Sequence, residues 1–378
     1  MSLAARAVTA GSAVAALGAA TALANRLGMP RLRAAAGEIT EPVTVLIPAR
    51  NEAGRLPALI ADLRAQQGIS DLGVVILDDG STDGTGDAAV AAIGDDERFF
   101  LARNDIDPPA GWTGKTAACA RLADLASGED VLIFLDADIR LAPGALAAAV
   151  RELRSSRAAL ACPWPLQLAG SPVEHLVQPL LGWSWASTLP VGLANRLTRP
   201  SMAVACGQFL AFDAAAYREL GGHTAVADSV TEDLAIAREL RRRGHRTTLV
   251  AAGPLARTRM YRGANELAEG YGRWLWSAHG GRTGSLAVGS LAALAFWAPP
   301  LAAVFGRGRL RRIGLLGYGA AVTARLLARS TERGGPVEPA DVLAALAHPL
   351  SVAAYLGLSA RSHGARRAGT LRWKGRKV

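Results

Sequence analysis

The residues of this chain best suited to chemistry are carboxylates set at the ends of apolar runs. PARNE (48–52) follows VTVLI, DDGSTDGT (78–85) follows VVIL, DAD (136–138) follows VLIFL, and TED (231–233) opens the amphipathic stretch LAIARELRRRG. On an extended chain Asp136 and Asp138 would point to the same side, with Ala137 pointing away. Two carboxylates so placed can hold Mg2+ or Mn2+ together with phosphate oxygens, and such a cation neutralises a diphosphate as it leaves. An isolated D-x-D is commonly a solvated turn. This one ends an apolar run, where charge without a partner is costly. Asp79 can accept hydrogen bonds from a uracil N–H or from ribose hydroxyls. The same octamer can also be a plain turn, with Gly80 making the bend and Ser81, Thr82 and Asp83 capping the next helix. Asp233 can serve as a general base toward a hydroxyl, or can favour a helix start simply as an acid in its first turn.

Three further segments carry polar residues at similar places. PARNE puts backbone amides and short side chains over a ligand, or else uses Asn51 as a helix N-cap. Lys115, in GWTGK (111–115), can neutralise a phosphate, with an ordinary turn as the alternative. Gln208 lies within the apolar run VACGQFLAF (204–212) and needs a partner there, either sugar hydroxyls or a neighbouring buried group.

The elements that must position these residues read as alternating strands and helices from Val43 to about Val250. Candidate strands are 43–47, 74–77, 98–102, 131–135 and 159–162, continuous apolar runs of the kind buried on both faces. Helical stretches at 54–67, 83–93, 113–127 and 143–154 separate them. The pattern predicts an α/β fold, a mixed, mostly parallel sheet with helices on both faces, and ligands in such sheets bind at the carboxyl ends of the strands.

Outside this region the chain is membrane-like. Residues 7–25 are apolar and uncharged, with Arg26, Arg31 and Arg33 after them rather than before, the order of an uncleaved anchor rather than a cleaved leader. Apolar runs cover 285–305, 313–328 and 342–358; Pro299 and Pro300 should kink the first, and Arg325 sits awkwardly in the second. The segment 172–200, with Trp183, Trp185 and several prolines, is expected at a membrane interface or as a buried helix with a Trp pair. The net charge of +10 clusters beside these apolar runs, at 26–33, 307–312 and 361–377, which argues for anionic lipid and against nucleic acid. Cys119, Cys162 and Cys206 are scattered and form no C-x-x-C pair, so neither a disulfide framework nor a zinc site is indicated. The expected layout is an anchor at 1–28, a catalytic domain at 40–283, membrane helices at 284–360 and a basic tail at 361–378. That makes a multi-pass protein of the cell membrane with its catalytic domain on the cytoplasmic side.

The order PARNE, DDGSTDGT, DAD, CGQF, TED resembles the family-two inverting glycosyltransferases of GT-A fold. The resemblance implies a nucleotide-sugar donor, with Asp79 at the nucleoside, Asp136 and Asp138 at the metal diphosphate, and Asp233 as catalytic base. Pro48, Arg50, Glu52, Lys115 and Gln208 would complete the donor pocket. Processive members of that family carry Q-x-x-R-W. Here GYGRW (270–274) has Gly270 in place of Gln, which argues against a processive synthase, while Arg273 and Trp274 would still close over the donor. GWTGK, RMY (259–261), the membrane-like C-terminal part and RWKGR (372–376) extend the likeness to bacterial transferases of carotenoid or hopanoid pathways. Their acceptors are lipid-like. Two other readings share parts of the pattern: a metal-dependent nucleotidyltransferase, and a membrane scaffold that keeps the fold without catalysis.

Overall fold

The computed structural model describes residues 2–34, 37–126, 128–374 and 376–377. Met1, Ser127, Gly375 and Val378, which fall in segments discussed above, lie outside the described residues. The chain divides into two units, with boundaries after residues 29, 166, 191 and 260.

The first unit, residues 30–166 and 192–260, is built on an eight-stranded sheet. Its strands are β1 (Val43–Ala49), β2 (Leu72–Asp78), β3 (Phe99–Arg103), β4 (Val131–Leu135), β5 (Ile139–Leu141), β6 (Leu160–Gln167), β7 (Phe209–Asp213) and β8 (Thr247–Thr258), in the spatial order β3-β2-β1-β4-β7-β6-β8-β5. β3, β2, β1 and β4 run parallel; β7 is antiparallel to β4 and to β6, and β5 is antiparallel to β8. The sheet is therefore mixed, as expected. Val43, Val45 and Ile47 face the helices Leu56–Arg64, Thr85–Ile93 and Ala145–Ser155, with Leu56, Leu59, Ile60 and Leu63 fully buried among them. On the opposite face Phe134 packs against Phe212 and Tyr217, and the helix Gly114–Leu125 buries Cys119 and Leu122. Each aliphatic side chain so buried contributes about 1.5–3 kcal/mol.

The sequence expectations hold for β1 to β4 within a few residues. VACGQFLAF differs: only 209–213 is strand, and Gln208 stands in the turn before it. The chain at Asp136–Asp138 also turns rather than continuing extended, because Ile139 N donates back to the Asp136 carbonyl at 3.2 Å. The alternation assumed for the two carboxylates therefore does not apply.

The second unit, residues 2–29, 167–191 and 261–377, is helical apart from a short pairing of Arg372–Trp373 with Arg376–Lys377. Leu3–Gly28 and Arg282–Phe305 are long and apolar enough to cross a membrane. Pro339–Leu346 and His348–Arg367 would make a third span if counted together, although they meet at a bend of 73°. The Arg282–Phe305 segment breaks at Trp297, just before Pro299 and Pro300. Leu3–Gly28 packs along Gly308–Arg333 and close to Arg282–Phe296. A Cβ on Gly11 would lie 2.1 Å from the Leu294 carbonyl oxygen, so only glycine permits that approach. Asn25, 2% exposed, donates to the carbonyls of Ala186 and Leu189 at 2.8 Å each and accepts from Val191 N at 2.8 Å. Trp183 and Trp185 belong to the packed helix Pro179–Thr188. Trp185 is buried and Trp183 packs edge-on to Phe296 and His348, so this pair follows the buried-helix alternative.

Candidate functional site

The sheet order explains how four separated acidic motifs meet. β1, β2 and β4 are adjacent and parallel, so their carboxyl ends share one edge. β7 runs antiparallel to β4, with Leu135 opposite Phe209, and so brings its leading residues Gly207 and Gln208 to the same edge.

Loops there brace one another. Asp79 N donates to the Ala49 carbonyl at 2.8 Å, and Arg50 Nη1 donates to the Asp79 carbonyl. Asn51 does not cap a helix, since Leu56–Arg64 starts later with Arg55 at its N-cap. It accepts from Thr82 N at 2.9 Å instead, while Glu52 N donates to Thr85 Oγ1 at 2.8 Å. The Glu52 carboxylate takes Arg55 at 3.4 Å. The helix Thr85–Ile93 has Gly84 at its N-cap rather than Ser81, Thr82 or Asp83, and Asp83 Oδ1 accepts from Thr85 N at 3.0 Å. Asp79 itself is 3% exposed; its Oδ1 accepts from Asn104 Nδ2 at 2.6 Å and lies 3.5 Å from Arg121 Nη1.

The centre of the edge is an ion cluster. Lys115, at the start of Gly114–Leu125, places Nζ 2.7 Å from Asp136 Oδ1 and 2.9 Å from Glu232 Oε1. Burial works against its charge, but the two carboxylates outweigh that and hold its pKa well above the usual lysine value. Pro48, Leu135, Asp136, Gly207 and Glu232 line the small crevice around it. Asp136 N donates to the Gln208 carbonyl at 3.2 Å. The Gln208 side chain is buried, donating to Thr258 Oγ1 at 3.4 Å and accepting from Cys206 Sγ at 3.3 Å, which is the satisfied-amide alternative. Thr258 Oγ1 in turn donates to the Asp138 carbonyl at 3.2 Å.

Asp233 is more than a helix-start acid. Its Oδ2 accepts from Gly207 N at 2.7 Å and its Oδ1 from Leu234 N at 2.7 Å. Burial first, and then the neighbouring Glu232 charge, push its pKa up to about 6, with Lys115 pulling the other way. The buried Cys119 thiol, its pKa raised mainly by burial, lies within Coulombic reach of Lys115, Glu232, Asp136 and Asp79 together.

Among the described residues no three His, Cys, Asp or Glu side chains converge to hold a metal. Asp136 and Asp138 offer hard oxygen donors at the end of β4. Asp136 is already paired with the Lys115 ammonium, so a divalent ion there would have to compete with it.

Arg273 and Trp274 belong to the helical unit, where Trp274 packs on Tyr271 with ring centroids 5.4 Å apart. The missing Gln of the Q-x-x-R-W pattern has a local cause. A Cβ on Gly270 would lie 2.2 Å from the Tyr261 ring, which fills the space a longer side chain needs. Asn104, Arg121 and Glu232 were not among the sequence candidates. Glu232 alone carried a signal, as the middle residue of TED.

Comparison with known proteins agrees with the fold. Residues 44–221 match Glycosyl transferase family 2. A 4,4'-diaponeurosporenoate glycosyltransferase of Staphylococcus haemolyticus is 29% identical over 213 residues, covering 54% of this chain and 53% of its own length. The chain therefore matches about half the length of that curated relative. The mannosyltransferase of Pyrobaculum calidifontis, solved in complex with GDP-Man and Mn2+, superposes with a TM-score of 0.58 at 20% identity, over 94% of this chain and 98% of that one. The architecture is the GT-A fold, and residues 44–221 are similar to Glycosyl transferase family 2.

Proposed function

We propose that this protein is an inverting glycosyltransferase that moves a sugar from a nucleotide-diphosphate donor, a UDP-sugar on the character of Asp79, to an oxygen of a lipid-like acceptor at the cytoplasmic face of the cell membrane. The observation that carries this reading is the single sheet edge shared by Asp79 with Asn104, by Asp136 with Lys115 and Glu232, and by Asp233. Asp79 and Asn104 offer the acceptor and donor atoms that a nucleoside's base or ribose needs. Asp136 and Asp138 would hold a divalent metal, which when bound supplies positive charge to the departing diphosphate. Lys115, 2.7 Å from Asp136 Oδ1, would also bring positive charge to phosphate oxygens at this edge. Asp233 removes the proton from an acceptor hydroxyl as that oxygen bonds to the anomeric carbon and the carbon–diphosphate bond breaks on the opposite face. An acceptor carboxylate arrives already ionised and needs no such base.

The acceptor class rests on the relative's activity toward a carotenoid acid and on the outer surface of the helical unit. Leu17, Leu286, Phe305, Leu316, Leu343 and Leu350 are all more than half exposed there, as suits helices surrounded by lipid. The neighbour's complex with GDP-Man and Mn2+ supports a metal-assisted nucleotide-sugar site.

The test uses full-length protein in lipid nanodiscs, a panel of labelled nucleotide sugars and lipid extract. Asp233→Asn should lower transfer to hydroxyl acceptors by roughly 10²–10⁴-fold, with nucleotide affinity unchanged by calorimetry. Normal turnover by the variant would remove the base assignment. Release of pyrophosphate instead of a nucleoside diphosphate would replace the transferase reading with the nucleotidyltransferase.

A further inference from the structure

The helical unit buries an arginine that the transfer reaction does not use. Arg325, on Gly308–Arg333, is 4% exposed. One and two turns further along that helix, Arg329 and Arg333 are met by carboxylates. Arg329 Nε donates to Asp341 Oδ1 at 2.8 Å and its Nη1 pairs with Glu332, and Arg333 Nε donates to Asp341 Oδ2 at 2.7 Å. Among the described residues, neither terminal nitrogen of Arg325 has a hydrogen-bond partner.

Two neighbours share that condition. Tyr271 and His348 are fully buried, on helices Gly263–Gly272 and His348–Arg367 that pack together, the latter also touching Gly308–Arg333; the charges of Asp341 and Glu332 also act on Arg325, but both are already paired with Arg329 or Arg333. The Tyr271 hydroxyl and both His348 ring nitrogens also lack partners among the described residues. The His348 ring instead sits against Trp183, at 4.6 Å between centroids, and Phe296, at 4.7 Å.

A buried guanidinium whose terminal nitrogens donate no hydrogen bond is unfavourable, and in a membrane setting such residues mark sites of function. Its two terminal nitrogens match the two oxygens of a carboxylate. Tyr271 and His348 can add hydrogen bonds to the same head group, and the aromatic rings of Trp183 and Phe296 suit an apolar chain. We propose that Arg325, with Tyr271 and His348, binds the carboxylate of an apolar acid taken from the bilayer. The site lies within the helical unit, and the bound acid need not be the molecule that receives the sugar.

The test measures quenching of tryptophan fluorescence by spin-labelled stearic acid and by its methyl ester, using full-length protein in nanodiscs of neutral lipid. Wild type should bind the acid at least ten-fold more tightly than the ester. Arg325→Gln should erase that difference and Arg325→Lys should keep part of it, with nucleotide binding unchanged in both. Equal binding of acid and ester by wild type would overturn the proposal even if both variants failed to fold. So would a preference that survives Arg325→Gln. Displacement of the acid by an equal concentration of phosphatidate would overturn the carboxylate assignment. Failure of sugar transfer to every acceptor would leave this comparison standing, so the two readings fail separately.

Discussion

A general base works best when its pKa lies near the pH at which it must act. Asp233, the proposed base, meets this through burial and the adjacent Glu232 charge, which raise it to about 6. Since the ionised form is the active one, transfer to a hydroxyl acceptor should rise about ten-fold per pH unit below 6 and level off above it. A rate profile flat from pH 5 to 8 would contradict this. Lys115 gives a second prediction at the same scale. Lys115→Met leaves Asp136 and Glu232 facing each other without a counter-charge, a loss of about 1–3 kcal/mol. The variant should melt lower than wild type without metal, and Mn2+ should raise its Tm more than it raises that of wild type. An equal metal response in both would mean that ammonium and metal do not compete for Asp136. Much of this cluster was visible in the sequence because acids stood at the ends of apolar runs. The bond from Gly207 to Asp233 was not, because it depends on β7 lying antiparallel beside β4. Asn104 and Arg121 were hidden for a similar reason: no local pattern marks a residue whose partner, Asp79, comes from another strand end.

Individual elements were legible where burial imposes a simple pattern. β1 to β4 are unbroken apolar runs and could be read directly. β5 has three residues, and β8 contains Gly253, Pro254 and Arg257, so neither presents such a run. The turn at Asp136–Asp138 was misread because nothing in DAD distinguishes an extended continuation from a reversal. The segment 270–274 carries this scale's prediction. Gly270→Gln would restore the Q-x-x-R-W pattern but drive a side chain into the Tyr261 ring, 2.2 Å from the position of its Cβ. Overpacking of this kind costs about 1–3 kcal/mol. The variant should melt lower, and Tyr261→Ala in the same chain should recover part of the loss. A Gly270→Gln protein as stable as wild type would show that Tyr261 is not what excludes the Gln.

Across the whole molecule, each unit is assembled from separated stretches of chain, and no single stretch of sequence announces that division. The helix Leu3–Gly28 is apolar and reads as a detachable anchor, yet Asn25 ties it to the end of Pro179–Thr188. Asn25→Leu keeps a similar volume but strands two carbonyls and one N–H, each worth about 1–3 kcal/mol when buried. Its melting temperature in nanodiscs should fall by several degrees, and no change would mean that water replaces the amide. The same amide bears on biosynthesis. The Ala186 carbonyl lies 161 positions downstream of Asn25, so the ribosome delivers the first helix long before its partner exists. Until then the amide must be hydrated or shielded by other groups. This helix is therefore made well before its final surroundings exist.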